Sequence, residues 1–239
     1  MIVSIMQPYF FPYIGYFQLA ACSDIFVFHD DVQYIKGGWV NRNRILRDGQ
    51  PLWLTLPVHK GASRLTIQQR QYQLDEPVTA RVLRRVEASY SKAPRFNAVF
   101  PLVEKLIKLA NANVADFNDN LIERITAELG GRPKFIRSSE LDKQSRLAGQ
   151  ERVVHICQRL GATHYVNPIG GTRLYDADRF ARAGIGLSFL EPAEITYPQF
   201  GEPPVPNLSI IDVLMFNDAE RVARMLKQYQ LRPGIQGRQ

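Results

Sequence analysis

The first thirty residues place an apolar strand, a loop bounded by prolines, a helix and a second strand in direct succession. Ile2 to Met6 is a short apolar run, and Ile14 to Cys22 has the composition of a helix that begins after Pro12. Asp24 to His29 supplies the next strand, whose core is apolar at every position, as in a parallel sheet that is covered on both faces. This order predicts a βαβ unit and therefore an α/β protein.

The rest of the chain continues this alternation with one interruption. The apolar residues take a helical spacing from residue 77 to residue 130, whereas residues 31 to 51 are polar, punctuated by glycine, and predict a loop. We predict a single domain over residues 1–239, with a Rossmann-like, mainly parallel sheet and a helical insertion around residues 77–130. The other predicted strands or extended segments are 53–58, 65–72, 134–138 and 186–190, and the other helices are 151–160, 177–183 and one that begins after Ser209.

The charge of the chain bears on its ligand. Thirty Lys and Arg residues against 23 Asp and Glu residues give a net charge of +7, and no polybasic block concentrates it. A moderate excess of this kind favours a small phosphate-bearing ligand over a nucleic acid, which usually requires a basic stripe or a recognition motif.

Cysteine content and hydropathy restrict the class of protein to which the chain can belong. Cys22 and Cys157 are far apart and outside any CxxC pattern, so they predict core thiols and neither a disulfide framework nor a zinc cluster. No window approaches about 18 uninterrupted apolar residues, so we expect no membrane insertion and a cytoplasmic location. The chain also lacks the P-loop, GxGxxG, GxSxG and HExxH motifs, and we therefore predict neither a metal site nor a cofactor.

The first candidate site is the loop between the first strand and the first helix. It carries Gln7, Tyr9 and Tyr13, and in a parallel sheet it lies at the carboxyl edge, where ligands bind and where a helix offers unpaired N–H groups to an anion. The alternative is an aromatic loop that only packs on the core.

The second candidate site begins at the end of the next strand. Asp30 or Asp31 is the predicted general base, because a carboxylate at the end of a buried strand is partly desolvated. Adjacent side chains diverge on a strand, so we expect one of the two to face the pocket and the other to cap a turn. His29 and His59 also follow strands and are further candidates for acid and base work.

The loop after these carboxylates carries groups that suit a phosphorylated sugar. A sugar or base ring can stack on Trp39, amide groups can bind hydroxyls, and cationic groups can bind phosphate. The alternative is a solvated loop without a ligand. The predicted binding residues of this segment are Gln33, Lys36, Trp39, Asn41, Arg42 and Asn43.

A third candidate site follows residue 166. Asn167, Gly170, Gly171 and Tyr175 lie in a turn-rich segment whose glycines would let backbone N–H groups approach a phosphate closely. An ordinary turn is the alternative reading. Because strand ends share one edge of a parallel sheet, we also expect Gln7, Tyr13, Asp30 and Asn41 to converge on one pocket.

Several segments resemble the WbqC-like protein family. The opening Met6 to Phe17, in which proline and aromatic residues recur in an unusual order, is the most specific of them. The match runs nearly end to end, and its other segments are residues 24–27, 30–34, 39–43, 53–58, 165–176 and 208–214.

The resemblance implies an enzyme of O-antigen or other surface-polysaccharide synthesis. We expect an acyl or aminoacyl transferase that adds a glycyl or similar group to the amine of a nucleotide-linked or lipid-linked amino sugar, with an aminoacyl-tRNA as one candidate donor. Its small-molecule partner would be a nucleotide-sugar or another phosphate-bearing substrate.

A more distant likeness supports an alternative function. Tyr13-Ile14-Gly15-Tyr16 occupies the place of the HxGH motif of certain nucleotidyltransferases, with tyrosines where histidines would neutralise phosphate charge. Tyrosine donates hydrogen bonds but supplies no positive charge, so the likeness extends to the fold more readily than to the chemistry. A nucleotidyltransferase-like enzyme and a non-catalytic nucleotide-sugar-binding partner are the alternatives to acyl transfer.

Overall fold

The computed structural model describes residues 1–108, 111–141 and 147–234. The strands, in chain order, are β1 (Ile2–Met6), β2 (Ile25–Phe28), β3 (Arg42–Arg47), β4 (Gln50–Thr55), β5 (Lys134–Arg137), β6 (His164–Pro168), β7 (Gly186–Pro192) and β8 (Tyr229–Pro233). The helices are α1 (Ile14–Ala21), α2 (Glu76–Tyr90), α3 (Phe96–Lys108), α4 (Val114–Glu128), α5 (Gly149–Arg159), α6 (Ala177–Arg182), α7 (Ile210–Phe216) and α8 (Ala219–Met225).

Six strands form one mixed sheet in the order β5-β2-β1-β6-β7-β8. Its neighbouring strands are parallel except for β8, which runs antiparallel to β7. The prediction of a Rossmann-like, mainly parallel α/β fold is confirmed. The strand order reverses between β1 and β6, because the chain builds outward from β1 to β2 and β5 on one side and from β6 to β7 on the other. In open α/β sheets, ligands bind outside the carboxyl ends of the strands at such a point.

The central strands and the first helix are buried as the sequence predicts. Val3 of β1 and Phe26 of β2 have no exposed surface, since helices cover both faces of the sheet. Helix α1 is buried along almost its whole length, and even Gln18 on it is enclosed. Gln18 Nε2 donates to the carbonyl oxygens of Met225 and Gln228 at 2.8 and 3.0 Å, which ties α1 to the end of α8.

A β-hairpin and three helices are inserted between β2 and β5. The hairpin pairs β3 with β4 antiparallel, and its turn residues Asp48 and Gly49 have φ of 50° and 72°. Two successive positive φ angles define the type I′ turn that an Asp-Gly pair favours. The predicted loop over residues 31–51 is therefore wrong in its second half, where β3 lies. The helical insertion predicted around residues 77–130 corresponds to α2, α3 and α4.

Other element predictions agree with the structure apart from a few. Helix α7 begins after Ser209, whose Oγ accepts from the N–H of Ile211 at 3.2 Å. The strand predicted at 53–58 is shifted to Gln50–Thr55, and the extended piece predicted at 65–72 forms a short 3₁₀ helix, Ile67–Gln69, flanked by isolated bridges. Strand β6, helix α8 and strand β8 were not predicted. Within the described residues, no helix has both the length and the apolar content needed to cross a membrane.

Candidate functional site

One cavity lies at the reversal of strand order. It has a volume of about 660 Å³, and its wall includes the loop after β1, Ile169 after β6 and Glu191 at the end of β7, with residues 193–208 forming another side. We call it the switch-point cavity. Of the predicted site residues, it contains Tyr9, Tyr13, Trp39 and Asn43.

The polar groups of the switch-point cavity include phenols, a guanidinium, carboxylates and amides. Burial raises the pKa of Tyr9 and of Tyr13, so both phenols stay protonated at neutral pH and can donate hydrogen bonds. Arg44 enters the same cavity from β3. Glu191 accepts a hydrogen bond from Nε of Arg232 on β8, which holds the carboxylate at the cavity wall.

A buried carboxylate supports one side of this cavity. Asp212 on α7 has no exposed surface, and two residues of the cavity wall, Tyr197 and Gln199, each donate to its Oδ1 at 2.7 Å. Tyr90 donates to Oδ2 at 2.8 Å. Burial raises the pKa of Asp212, while these hydrogen bonds favour its charged form and oppose that rise. Asp212 therefore fixes the orientation of the two wall side chains without reaching the cavity itself.

A second cavity is basic. It has a volume of about 880 Å³ and contains the predicted residues Gln33, Lys36, Asn41 and Arg42. Lys60 and Arg70 lie in the same wall, and among the described residues that line it there is no Asp or Glu. We call it the basic cavity.

Two guanidinium groups of the basic cavity have unused hydrogen-bonding capacity. Arg70 donates through Nη2 to the carbonyl of His59 at 3.0 Å, and Arg42 donates to the carbonyl of Gly37. The Nε atoms of Arg42 and Arg70 are enclosed and have no acceptor within the described parts of the chain. Positive charges that are held together without a carboxylate in the wall repel one another, and a bound anion would offset that repulsion.

Four consecutive residues at the start of β3 line the two cavities. Asn41 and Arg42 contribute to the basic cavity, and Asn43 and Arg44 contribute to the switch-point cavity. Both asparagines are buried and bind the chain itself. Nδ2 of Asn41 donates to the carbonyl of Leu56 at 3.0 Å, and Nδ2 of Asn43 donates to that of Phe11 at 2.9 Å. Their amides therefore position the cavity walls.

Asp30 and Asp31 lie at the end of β2, away from both cavities. Asp30 has no exposed surface and accepts hydrogen bonds from the N–H of Ser139 at 3.0 Å and from its hydroxyl at 2.5 Å. Asp31 accepts from the hydroxyl of Ser138 at 2.5 Å and forms an ion pair with Arg152. Ser138 contacts both carboxylates, so the two side chains do not diverge as expected. Their catalytic role stays a prediction, and their visible role is to join β2 to the segment after β5.

The other predicted acid, base and loop residues also lie outside the two cavity walls. His29 is half-buried after β2 and donates its backbone N–H to Met6 at 2.8 Å, while His59 is exposed beside Lys60. Gln7 contributes its carbonyl, which accepts from the phenol of Tyr16 at 3.0 Å.

The third predicted cluster forms a small network of its own. The phenol of Tyr165 donates to Asn167 at 3.0 Å and contacts the phenol of Tyr175 at 3.4 Å. The amide of Asn167 lies against Gly171, where an added Cβ would be 1.8 Å from it. Gly170 is exposed and has open space on its Cβ side. Gly171 is therefore needed for close packing, and a role of the pair as a phosphate nest stays a prediction.

The expected convergence of Gln7, Tyr13, Asp30 and Asn41 on one pocket is wrong. Tyr13 opens onto the switch-point cavity and Asn41 onto the basic cavity, and Asp30 has no exposed surface. The strand ends do share one edge of the sheet, but residues of the inserted hairpin and its flanks line two different cavities, and the predicted residues are distributed between them.

Sequence reasoning missed several residues of the cavity walls. Glu191 follows the buried apolar pair Phe189 and Leu190 near the end of a strand, a signal similar to the one that selected Asp30, and could have been found by it. Arg44 lies two residues after Arg42, at the spacing of one strand face. Lys60, Arg70, Tyr197 and Gln199 carry no local signal, since only the tertiary fold brings them to the cavities. Within residues 1–108, 111–141 and 147–234, no three His, Cys, Asp or Glu side chains are grouped so as to hold a metal ion.

Comparison with known proteins gives one family and one relative to report. The model of the WbqC-like protein family matches residues 7–224. An uncharacterized protein of Mycobacterium tuberculosis (strain ATCC 25618 / H37Rv), Rv1507c, is 29% identical over 222 residues, which cover 91% of this chain and 94% of that protein. No solved structure matches the chain.

Proposed function

Because the chain belongs to the WbqC-like protein family, we propose that it is a transferase of surface-polysaccharide synthesis. The reaction adds a glycyl or similar aminoacyl group to the amine of an amino sugar carried on a nucleotide or a lipid. The observation that carries this proposal is the pair of cavities, since a cationic cavity and a cavity lined by phenols and carboxylates are lined by consecutive residues, Asn41 to Arg44. Such a pair suits a substrate with a phosphate at one end and a sugar at the other.

The assignment of the two ends follows from charge. Lys36, Arg42 and Arg70 in the basic cavity bind the phosphate. The sugar lies in the switch-point cavity, where Trp39 supplies an apolar ring face and Tyr9 supplies a hydroxyl. The amine then faces the wall that contains Glu191.

The chemistry requires a base and donors for an oxyanion. The amine nitrogen attacks the acyl carbonyl, the amide C–N bond forms, and the bond to the oxygen or sulfur of the donor's leaving group breaks. Glu191 accepts the proton that the amine loses, with Arg232 orienting its carboxylate. The protonated phenol of Tyr13 and the guanidinium of Arg44 stabilise the negative charge that develops on the carbonyl oxygen.

The first prediction compares three carboxylates by single amide substitutions. Glu191→Gln should cut turnover by about 100-fold or more, the usual scale for loss of a general base. Asp30→Asn should lower the free energy of unfolding by about 1–3 kcal/mol and keep turnover per folded molecule, because it weakens buried hydrogen bonds. Glu194→Gln is the matched control, since Glu194 is exposed in the same cavity wall as Glu191.

Turnover is measured by the mass gain of an amino-sugar acceptor. Nucleotide-linked and lipid-linked acceptors are each offered with an aminoacyl-tRNA, an acyl phosphate and a thioester donor. Full turnover of Glu191→Gln together with its loss in folded Asp30→Asn or Asp31→Asn would return the base to the end of β2. Consumption of a nucleoside triphosphate with release of pyrophosphate would instead indicate nucleotidyl transfer. Ligand binding without any turnover would indicate a non-catalytic binding protein.

A further inference from the structure

The two tryptophans of the chain lie together on its surface. Trp39 and Trp53 are 39% and 38% exposed, and their ring centroids are 5.4 Å apart. Ile35, which is 59% exposed, lies in the adjacent wall of the basic cavity. Single exposed apolar side chains are common on proteins, but exposed aromatic rings in mutual contact beside a charged cavity indicate a binding surface.

Two arginines flank the tryptophan pair. Cζ of Arg42 lies 4.1 Å from the ring centroid of Trp53, and Cζ of Arg44 lies 5.8 Å from that of Trp39. Arg42 and Arg44 share one face of β3, and Arg44 is paired with Trp53 of β4 in the hairpin register. The four side chains form a strip, which we call the Arg-Trp strip, that begins at the basic cavity with Arg42 and ends at the switch-point cavity with Trp39 and Arg44.

We infer that the Arg-Trp strip is a stacking platform for a nucleobase. This inference rests on the proposed function and narrows it, because the sugar carrier is then a nucleoside diphosphate and not a lipid. Indole rings between guanidinium groups favour a flat, polarisable ring, which every base offers and a saturated lipid chain lacks. The adjacent cationic side chains Lys36, Lys60 and Arg70 are available for the pyrophosphate.

The placement also accounts for the sugar end of the substrate. Because the pyrophosphate joins the ribose to the sugar, a conjugate with its pyrophosphate in the basic cavity must fold so that the base lies on the strip and the sugar reaches the switch-point cavity at the other end of the strip. Trp39 belongs to both the strip and that cavity, so it contacts the conjugate at more than one point.

The test uses intrinsic tryptophan fluorescence, because Trp39 and Trp53 are the two tryptophans of the chain. Uridine diphosphate and guanosine diphosphate are the nucleotide probes, and inorganic pyrophosphate is the probe without a base. We expect each nucleotide to quench the fluorescence and to bind about tenfold or more tightly than pyrophosphate, in keeping with stacking of one base. Equal affinities of the nucleotides and pyrophosphate would overturn the inference.

Variants separate stacking from charge, with affinities measured by calorimetry. Trp53→Leu should weaken nucleotide binding about tenfold and change pyrophosphate binding less than about twofold. Arg70→Gln should weaken both probes alike. Arg132→Gln is the control for Arg70→Gln, because it removes the same charge from a different place. Arg132 is exposed and precedes β5, at the amino edge of the sheet. Trp39→Leu gives a second reading if Trp53→Leu folds poorly, and an equal loss of both probes in the folded tryptophan variants would also overturn the inference.

The failure of this inference is distinguishable from the failure of the proposed function. Acyl transfer to a lipid-linked sugar without nucleotide binding would leave the transferase and remove the nucleobase platform. Nucleotide binding of the expected pattern without acyl transfer would leave the platform and remove the transferase. Binding of a single-stranded RNA ending in CCA, with no binding of either nucleotide, would assign the strip to an RNA donor and overturn the inference.

Discussion

Asp119 on α4 shows how burial changes a single carboxylate. Its residue is 3% exposed, its Oδ2 accepts from Nε of Arg137 at 2.6 Å, and its Oδ1 has no donor among the described residues. Burial raises the pKa of Asp119 to about 8, Arg137 opposes that rise, and the carboxylates of Asp30 and Glu123 add to it. Asp212 is buried to a similar degree, but both of its carboxylate oxygens accept hydrogen bonds, from three side chains in total.

The second prediction follows from the raised pKa of Asp119. An unfolded Asp titrates near pH 3.9, so between about pH 4 and about pH 8 the folded state binds the proton more tightly than the unfolded state. This contribution to stability is present at low pH and is lost as the pH rises through that window. The fall in the free energy of unfolding from about pH 5 to about pH 8 should be smaller in Asp119→Asn than in the unsubstituted protein. Urea unfolding at both pH values measures the free energy of unfolding of each protein. If that free energy falls equally in the variant and in the unsubstituted protein, Asp119 is ionised at both pH values.

At the scale of elements, the loop after β1 is held by side chains from distant parts of the chain. Asn118 on α4 donates to the carbonyls of Pro8 at 2.9 Å and Val40 at 2.8 Å. The hydroxyl of Ser209, at the start of α7, donates to the carbonyl of Phe11 at 2.8 Å. Phe11 has a positive φ of 40°, and these buried contacts keep the loop in that conformation. The positions of Tyr9 and Tyr13 therefore depend on helices that lie much later in the sequence.

The third prediction concerns the turn after β6. Gly171→Ala should lower the free energy of unfolding by about 1–3 kcal/mol, because its Cβ would displace the amide of Asn167 and overpack the site. Gly170→Ala should change it by less than about 0.5 kcal/mol, since the neighbouring space is open. Thermal and chemical unfolding of both variants measure the difference. If Gly170→Ala instead weakens pyrophosphate binding while stability is unchanged, the glycine pair binds phosphate.

At the scale of the whole molecule, the net charge of +7 and the basic cavity act together on an anionic ligand. Long-range attraction to the net charge is screened within about 10 Å at 0.1 M salt, whereas contacts inside a cavity are screened less. The two contributions can be separated by variants that change the net charge equally at different places.

The fourth prediction is a salt dependence with a local component. The dissociation constant for pyrophosphate should rise severalfold between about 50 mM and about 200 mM salt. Arg70→Gln and Arg132→Gln both lower the net charge by one, but Arg70→Gln should weaken binding several times more at both salt concentrations, because its contact with the anion lies inside the cavity and is screened less. Calorimetry at the two salt concentrations measures both affinities for each variant. Equal losses of affinity in the two variants would mean that the net charge, and not the basic cavity, governs binding.

The sequence by itself determined the elements whose signals are local. The βαβ opening, the parallel strands β5 and β7, the helices between residues 77 and 130 and the cap at Ser209 each follow from apolar spacing or turn chemistry within a few residues. The Asp48-Gly49 turn was equally local, and its hairpin was missed because the surrounding residues are polar. Local patterns suffice for helices and turns because their hydrogen bonds join residues three or four apart, and a short apolar run marks a buried strand even though its hydrogen-bond partners lie far along the chain.

Only the tertiary structure decided which strand ends face a cavity. Asp30 and Glu191 carry the same local signal, but the segment after β5 covers Asp30, whereas Glu191 stays open to the switch-point cavity. Likewise, each cavity is lined by residues from several distant segments that no single stretch of sequence describes. The physical reason is that burial of a side chain depends on segments that pack over it from far along the chain, and the pattern of its own strand contains no information about them.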